Sequence, residues 1–112
     1  METDQKKKKI VLAIEDDATM LQLYQHKFEL RGITTLLARD GEEGLRMVKQ
    51  EKPDCVVLDI RMPKLNGLEV LKAMRENGEV KNIPVIILTN FDLPEYRAEA
   101  EKWGGLRLSY KS

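Results

Sequence analysis

The chain has 112 residues, enough for one domain with a real but small core, and its 19 Lys and Arg balance its 19 Asp and Glu. Zero net charge removes the global positive field that draws a protein to nucleic acid, and no apolar run has the length of a membrane helix or a signal-peptide core. A single cysteine leaves no internal disulfide framework, so the chain reads as cytoplasmic, with neither nucleic acid nor membrane as a direct partner.

Residues 1–8 are polar and read as a frayed N-terminus, with the lysine run Lys6–Lys9 as a solvated stretch that has no interleaved aromatics for binding bases. The first apolar run is Ile10–Ile14, and it ends in Glu15-Asp16-Asp17. Asp17 is placed to cap a helix with Leu21, Tyr24 and Phe28 on one face and Gly32 as its stop. His26, between Gln25 and Lys27, falls on the exposed side.

A second strand is expected at Thr34–Ala38, then a helix opening at Asp40 with Glu43 in capping-box position and ending before Pro53. The run Cys55–Leu58 follows and again ends in acid, at Asp59. Inside it, Cys55 reads as a small buried hydrophobe and not as a nucleophile. The third helix opens at Asn66 with Glu69, buries Leu68, Leu71 and Met74, and stops near Gly78. A fourth strand, Val85–Leu88, leads to a helix that starts around Asp92, carries Pro94 and Glu95 in its first turn, and ends at Gly104-Gly105 with Trp103 packing its end. Met47, Met62 and Met74 read as gap fillers. In the last strand, Leu106–Tyr110, apolar Leu106, Leu108 and Tyr110 alternate with Arg107 and Ser109, as in a half-solvated edge strand.

Strands alternating with helices in the order (βα)₄β predict a doubly wound parallel α/β sheet of five strands. Parallel strands bring their carboxyl ends to one edge, so Glu15, Asp16 and Asp59 converge in the crevice where open sheets bind ligands. Carboxylates crowded there raise one another's pKa values unless a cation sits among them, and oxygen donors suit a hard ion, Mg²⁺ before Ca²⁺.

Ile14-Glu15-Asp16-Asp17, Asp40-Gly41, Leu58-Asp59-Ile60-Arg61-Met62-Pro63 with Gly67, Leu88-Thr89 and Lys111 occur in the order and spacing of a known family. From Lys8 to Ser112 the chain resembles the CheY-like receiver domain of bacterial response regulators. The resemblance implies a flavodoxin-like fold with strand order 2-1-3-4-5. It also implies that Asp59 accepts a phosphoryl group as an acyl phosphate, from a sensor histidine kinase, a phosphotransfer protein or a small acyl phosphate. By the same resemblance Asp16, Asp59 and the backbone carbonyl of Arg61 hold Mg²⁺, with Glu15 acting directly or through water. Thr89 would donate its hydroxyl to one phosphoryl oxygen and Lys111 would pair with another. By the same resemblance Arg61 and Phe91 occupy positions that tune acyl-phosphate lifetime in the family. The expected activity is confined to the domain's own phosphorylation and dephosphorylation, and the output partner is unspecified.

The chain departs from the family at its end. Leu108 stands where an aromatic residue is usual, Ser112 stands where proline is usual after the lysine, and no residues for a fifth helix follow. The sheet face beside the first helix is therefore expected to be bare and to favour a homodimer or higher oligomer. Other readings stay open for several residues: a solvated strand end for Glu15, ordinary loop entry for Thr89-Asn90, and a terminal solvated lysine for Lys111. As a whole, the chain could alternatively be a non-phosphorylated assembly module or a truncated receiver that oligomerises. A haloacid-dehalogenase-type phosphohydrolase would want an acid two residues after Asp59, where Arg61 stands. A nucleotide site would want glycines where Glu15-Asp16-Asp17 stand.

Overall fold

In the computed structural model, residues 9–59, 66–89 and 94–109 are described. They form β1 (Ile10–Ile14), α1 (Ala18–Glu29), β2 (Thr34–Ala38), α2 (Gly41–Glu51), β3 (Cys55–Leu58), α3 (Gly67–Glu76), β4 (Val85–Thr89), α4 (Pro94–Lys102) and β5 (Leu106–Ser109). Every neighbouring pair of strands is parallel, and the order across the sheet is β2-β1-β3-β4-β5. The expected flavodoxin-like topology is therefore observed, with β5 at an edge. Strand β4 runs one residue further than the apolar run alone suggests and takes in Thr89.

Local chemistry starts and stops the helices where the residues indicate. Asp17 caps α1, accepting from the N–H groups of Thr19 at 2.9 Å and Met20 at 3.3 Å. Past the end of α1, Gly32 takes φ of 77°, a left-handed turn open to glycine at little cost. Asp40 caps α2 by accepting from Glu43 N, while the Glu43 carboxylate reaches back to Arg39 N, one residue before the cap. At α3, Asn66 and Glu69 close a full reciprocal box at 2.9 and 3.0 Å. The helix start expected around Asp92 falls on a residue outside those described.

The two faces of the sheet are covered unequally. On one, Leu12 and Ile14 of β1, Val56 and Leu58 of β3, and Val85 and Ile87 of β4 meet Val48 of α2, Val70, Leu71 and Met74 of α3, and Ala100 of α4. Helix α2 lies so close to β1 that a side chain on Gly44 would run into Ile14 Cδ1 and come within 2.8 Å of its Cγ1. On the other face, Ala13 packs with Leu21 and Tyr24 of α1, fringed by half-buried Met20, Phe28 and Leu37. Among the described residues α1 is the one helix there, lying against β1 and β2. Further along that face Ile86 is half-buried, yet Val57 is 4% exposed.

Cys55 is half-buried and not enclosed, because it opens β3 at the rim of the sheet. Among the described residues no helix is long and apolar enough to cross a membrane.

Candidate functional site

The chain reaches the site by running out of strand. Glu15 follows β1 directly and Asp59 follows β3 directly, and the two strands pair in register, with Ile14 beside Leu58. Two backbone bonds continue the ladder past the strand ends: Glu15 N donates to Ala38 O at 3.1 Å, and Asp59 N donates to Ile14 O at 3.1 Å. The acids are thus held by the sheet and not by a loose loop.

Each of Glu15, Asp16 and Asp59 offers a carboxylate oxygen within 4.8 Å of the others. Asp16 is exposed and Asp59 half-buried, while Glu15 is only 6% exposed. That burial, followed by the nearby Asp59 charge, pushes the Glu15 carboxyl up to about 8, and Asp16 adds to the shift. The Asp17 N–H, donating to Glu15 Oε2 at 3.2 Å, pulls the other way but does not win. Glu15 is therefore not a solvated strand end. A buried acid held above neutral by its neighbours is stabilised by a cation among them, so this all-oxygen set fits a hard divalent ion.

Asp17 belongs to the helix, not to the cluster, since its side chain is spent on the α1 cap. Thr89 is the last residue of β4, two positions beyond Ile87, which pairs with Leu58. The backbone thus puts it on the same carboxyl edge as Asp59. Arg61, Phe91 and Lys111 lie outside the described residues. His26 is exposed and stands away from the acids, in the last turn of α1.

Sequence reasoning passed over Arg75. It sits in the last turn of α3, where a cation reads as an ordinary helix-end residue. In the structure its guanidinium donates to four backbone carbonyls, and no motif or spacing signals that.

The family description "Response regulator receiver domain" matches residues 11–108 of the chain. Over 83 residues the chain is 35% identical to the polar-differentiation response regulator DivK of Brucella anthropi, covering 74% of this chain and 68% of that protein. It is 38% identical over 82 residues to the response regulator MprA of Mycobacterium leprae, covering 73% of this chain and 35% of MprA. The match to PhoP of Bacillus subtilis, an alkaline phosphatase synthesis transcriptional regulatory protein, is 38% over 84 residues, which is 75% of this chain and 34% of PhoP. The matched segment is thus a minor part of two of these relatives.

Among solved structures, the Francisella response regulator 1452 receiver domain superposes with a TM-score of 0.81 at 37% identity, covering 90% of this chain and 83% of that one. The chemotaxis protein CheY4 of Vibrio cholerae gives a TM-score of 0.85 at 28% identity, covering 93% and 86%.

Proposed function

The chain belongs to the response regulator receiver domain family of two-component systems, and from that premise we propose that it is a switch set by Mg²⁺-dependent phosphorylation of Asp59. The observation that carries this reading is the convergence of Glu15, Asp16 and Asp59 within 4.8 Å at the paired ends of β1 and β3.

An Asp59 carboxylate oxygen attacks phosphorus, and the bond from phosphorus to the donor breaks. With a phosphohistidine of a sensor kinase or phosphotransfer protein, the departing nitrogen leaves as imidazole; with a small acyl phosphate, a carboxylate leaves. Glu15, Asp16 and Asp59, with the backbone carbonyl of Arg61, would hold Mg²⁺. The bound ion supplies positive charge between the acids and the incoming phosphoryl oxygens. Thr89 at the end of β4 and Lys111 beyond β5 would donate to the phosphoryl oxygens as charge gathers on them.

The product acyl phosphate would bias the chain following Thr89, and with it the surface of α4 and β5 offered to an output partner. The chain would catalyse its own phosphorylation and dephosphorylation and no turnover of a separate substrate. Self-association through the face that, among the described residues, only α1 covers belongs to the same reading, and a strictly monomeric chain in sedimentation at micromolar concentration would end that part of it.

Intact mass after incubation with acetyl phosphate tests the chemistry, with and without Mg²⁺, on the wild type and Asp59→Asn. One added phosphoryl group that needs both the ion and Asp59 is expected. An adduct on Asp59→Asn, or none on the wild type, overturns the assignment.

A further inference from the structure

At the amino edge of the sheet, opposite the acids, one side chain ties together the segments that lead into β4 and β5. Arg75 Nε donates to Trp103 O at 2.7 Å. One terminal nitrogen donates to Ile83 O at 2.8 Å and Lys81 O at 3.2 Å, and the other to Gly104 O at 3.3 Å. These carbonyls come from two segments distant in sequence, the stretch that leads from α3 into β4 and the turn that leads from α4 into β5. A planar, permanently charged fork can hold both at once, where a single ammonium could not. All four of these bonds end on carbonyls, so the charge is spent on fixing backbone and not on pairing with an acid.

At the end of α4, the Lys72 ammonium of α3 also lies 5.8 Å from the Trp103 ring centre, and the Trp103 ring N–H donates to Glu99 Oε2. Ala100 is the buried residue of α4 among the described side chains, and Trp103, half-buried, packs beside it. The turn after it is specific: Gly104 takes φ of 75°, and a side chain on Gly105 would meet Ile87 Cδ1 at 2.9 Å and Leu71 Cδ2 at 3.0 Å. The far end of α4 follows Thr89 at the carboxyl edge, one strand length away, about 13 Å for the rise across β4.

We propose that Arg75 is a positioning residue that welds the exit of α4 to the starts of β4 and β5, so that any displacement of α4 begun at the Thr89 end pivots about the Trp103–Gly105 turn. The pivot rests on the proposed switching at Asp59, but the weld itself does not.

Hydrogen exchange of the Trp103, Gly104 and Gly105 amides is the test, on the wild type, Arg75→Met and Arg75→Lys. These amides donate to Glu99 O, Glu101 O and Ala100 O and report whether the turn is closed. Arg75→Met should speed their exchange about tenfold while the amide of Leu12, in the central strand β1, keeps its rate. Arg75→Lys, which reaches fewer carbonyls, should fall between and serves if the Met variant does not fold. Unchanged exchange at the turn, or an equal rise in the central strands, overturns the weld.

The second arm repeats the exchange after acetyl phosphate and Mg²⁺, with the Asp59 adduct confirmed by mass. In the wild type the turn should keep its rate, and in Arg75→Met the change should spread into it and shift the emission of Trp103, the chain's one tryptophan. A turn that responds equally in both overturns the pivot. Failure of the wild type to form the adduct overturns the phosphorylation reading and leaves the first arm standing.

Discussion

The two faces of the sheet are built from the same strands and differ in what covers them. Helices α2, α3 and α4 close over a cluster that includes Leu12, Leu58, Leu71 and Ile87, all fully buried. Helix α1 closes over Ala13, Leu21 and Tyr24, and most of what surrounds them is half-exposed. The comparison teaches where rigidity is stored. Among the described residues, the strands that aim Glu15 and Asp59 are packed by three helices on one side and by one on the other, so the second side should yield more readily.

The sharpest way to break that comparison is to remove the same atoms from each face. Leu71→Ala leaves a cavity walled on every side and should cost at the upper end of the ~2–5 kcal/mol range for such truncations, read from urea unfolding. Leu21→Ala lies under α1, the one helix on that face among the described residues, which can settle into the gap, so its loss should fall at the lower end. Equal losses would erase the distinction between the faces.

The next effect lies at the carboxyl edge that both faces share. Glu15 keeps its proton up to about pH 8 in the folded chain, against 4.5 for the free side chain. Between those values the folded state binds more protons than the unfolded one. Stability is therefore fully present below about 4.5 and declines as pH rises toward about 8, by a few kcal/mol at most. Saturating Mg²⁺, and separately Glu15→Gln, should flatten the decline in unfolding midpoints measured from pH 4.5 to 8. A midpoint that rises with pH in the metal-free chain would contradict the burial of Glu15.

Much of this was legible in the residues, because the signals were local. Asp17, Asp40 and Asn66 announce helix starts through hydrogen bonds that span two or three residues. The acids were legible because parallel strands leave no other place for residues that follow apolar runs. Arg75 was not, since its partners lie 6 to 29 positions away and are backbone carbonyls, which carry no side-chain signature. Nor was Gly44, whose importance is the closeness of Ile14 in a packed structure. The depth of Glu15 was equally hidden: Asp16 and Asp17 follow it in sequence, and its burial comes from the fold.

Gly44 offers a smaller test of the clamped face. Gly44→Ala gains helix propensity but drives a methyl against Ile14, which is 1% exposed and has no room to retreat. The net cost should be about 1–3 kcal/mol. Because Ile14 directly precedes Glu15, Mg²⁺ affinity should weaken along with stability in titration of the same variant. A neutral or stabilising substitution would mean that β1 is not clamped by α2.

The smallest effect separates two carboxylates that stand two residues apart. Asp17→Ala removes the acceptor for Thr19 N and Met20 N and should cost about 0.5–2 kcal/mol, expressed on the α1 face. The bond from the residue 17 backbone N–H to Glu15 Oε2 survives the substitution, because it needs no side chain. Phosphoryl stoichiometry and Mg²⁺ dependence should therefore match the wild type even as the urea midpoint drops. Glu15→Gln should do the reverse, impairing Mg²⁺ binding while removing the cost of keeping a buried acid protonated. If Asp17→Ala abolished the adduct at a temperature where the chain remains folded, Asp17 would belong to the site as well as to the helix, and the yielding face would be part of the chemistry.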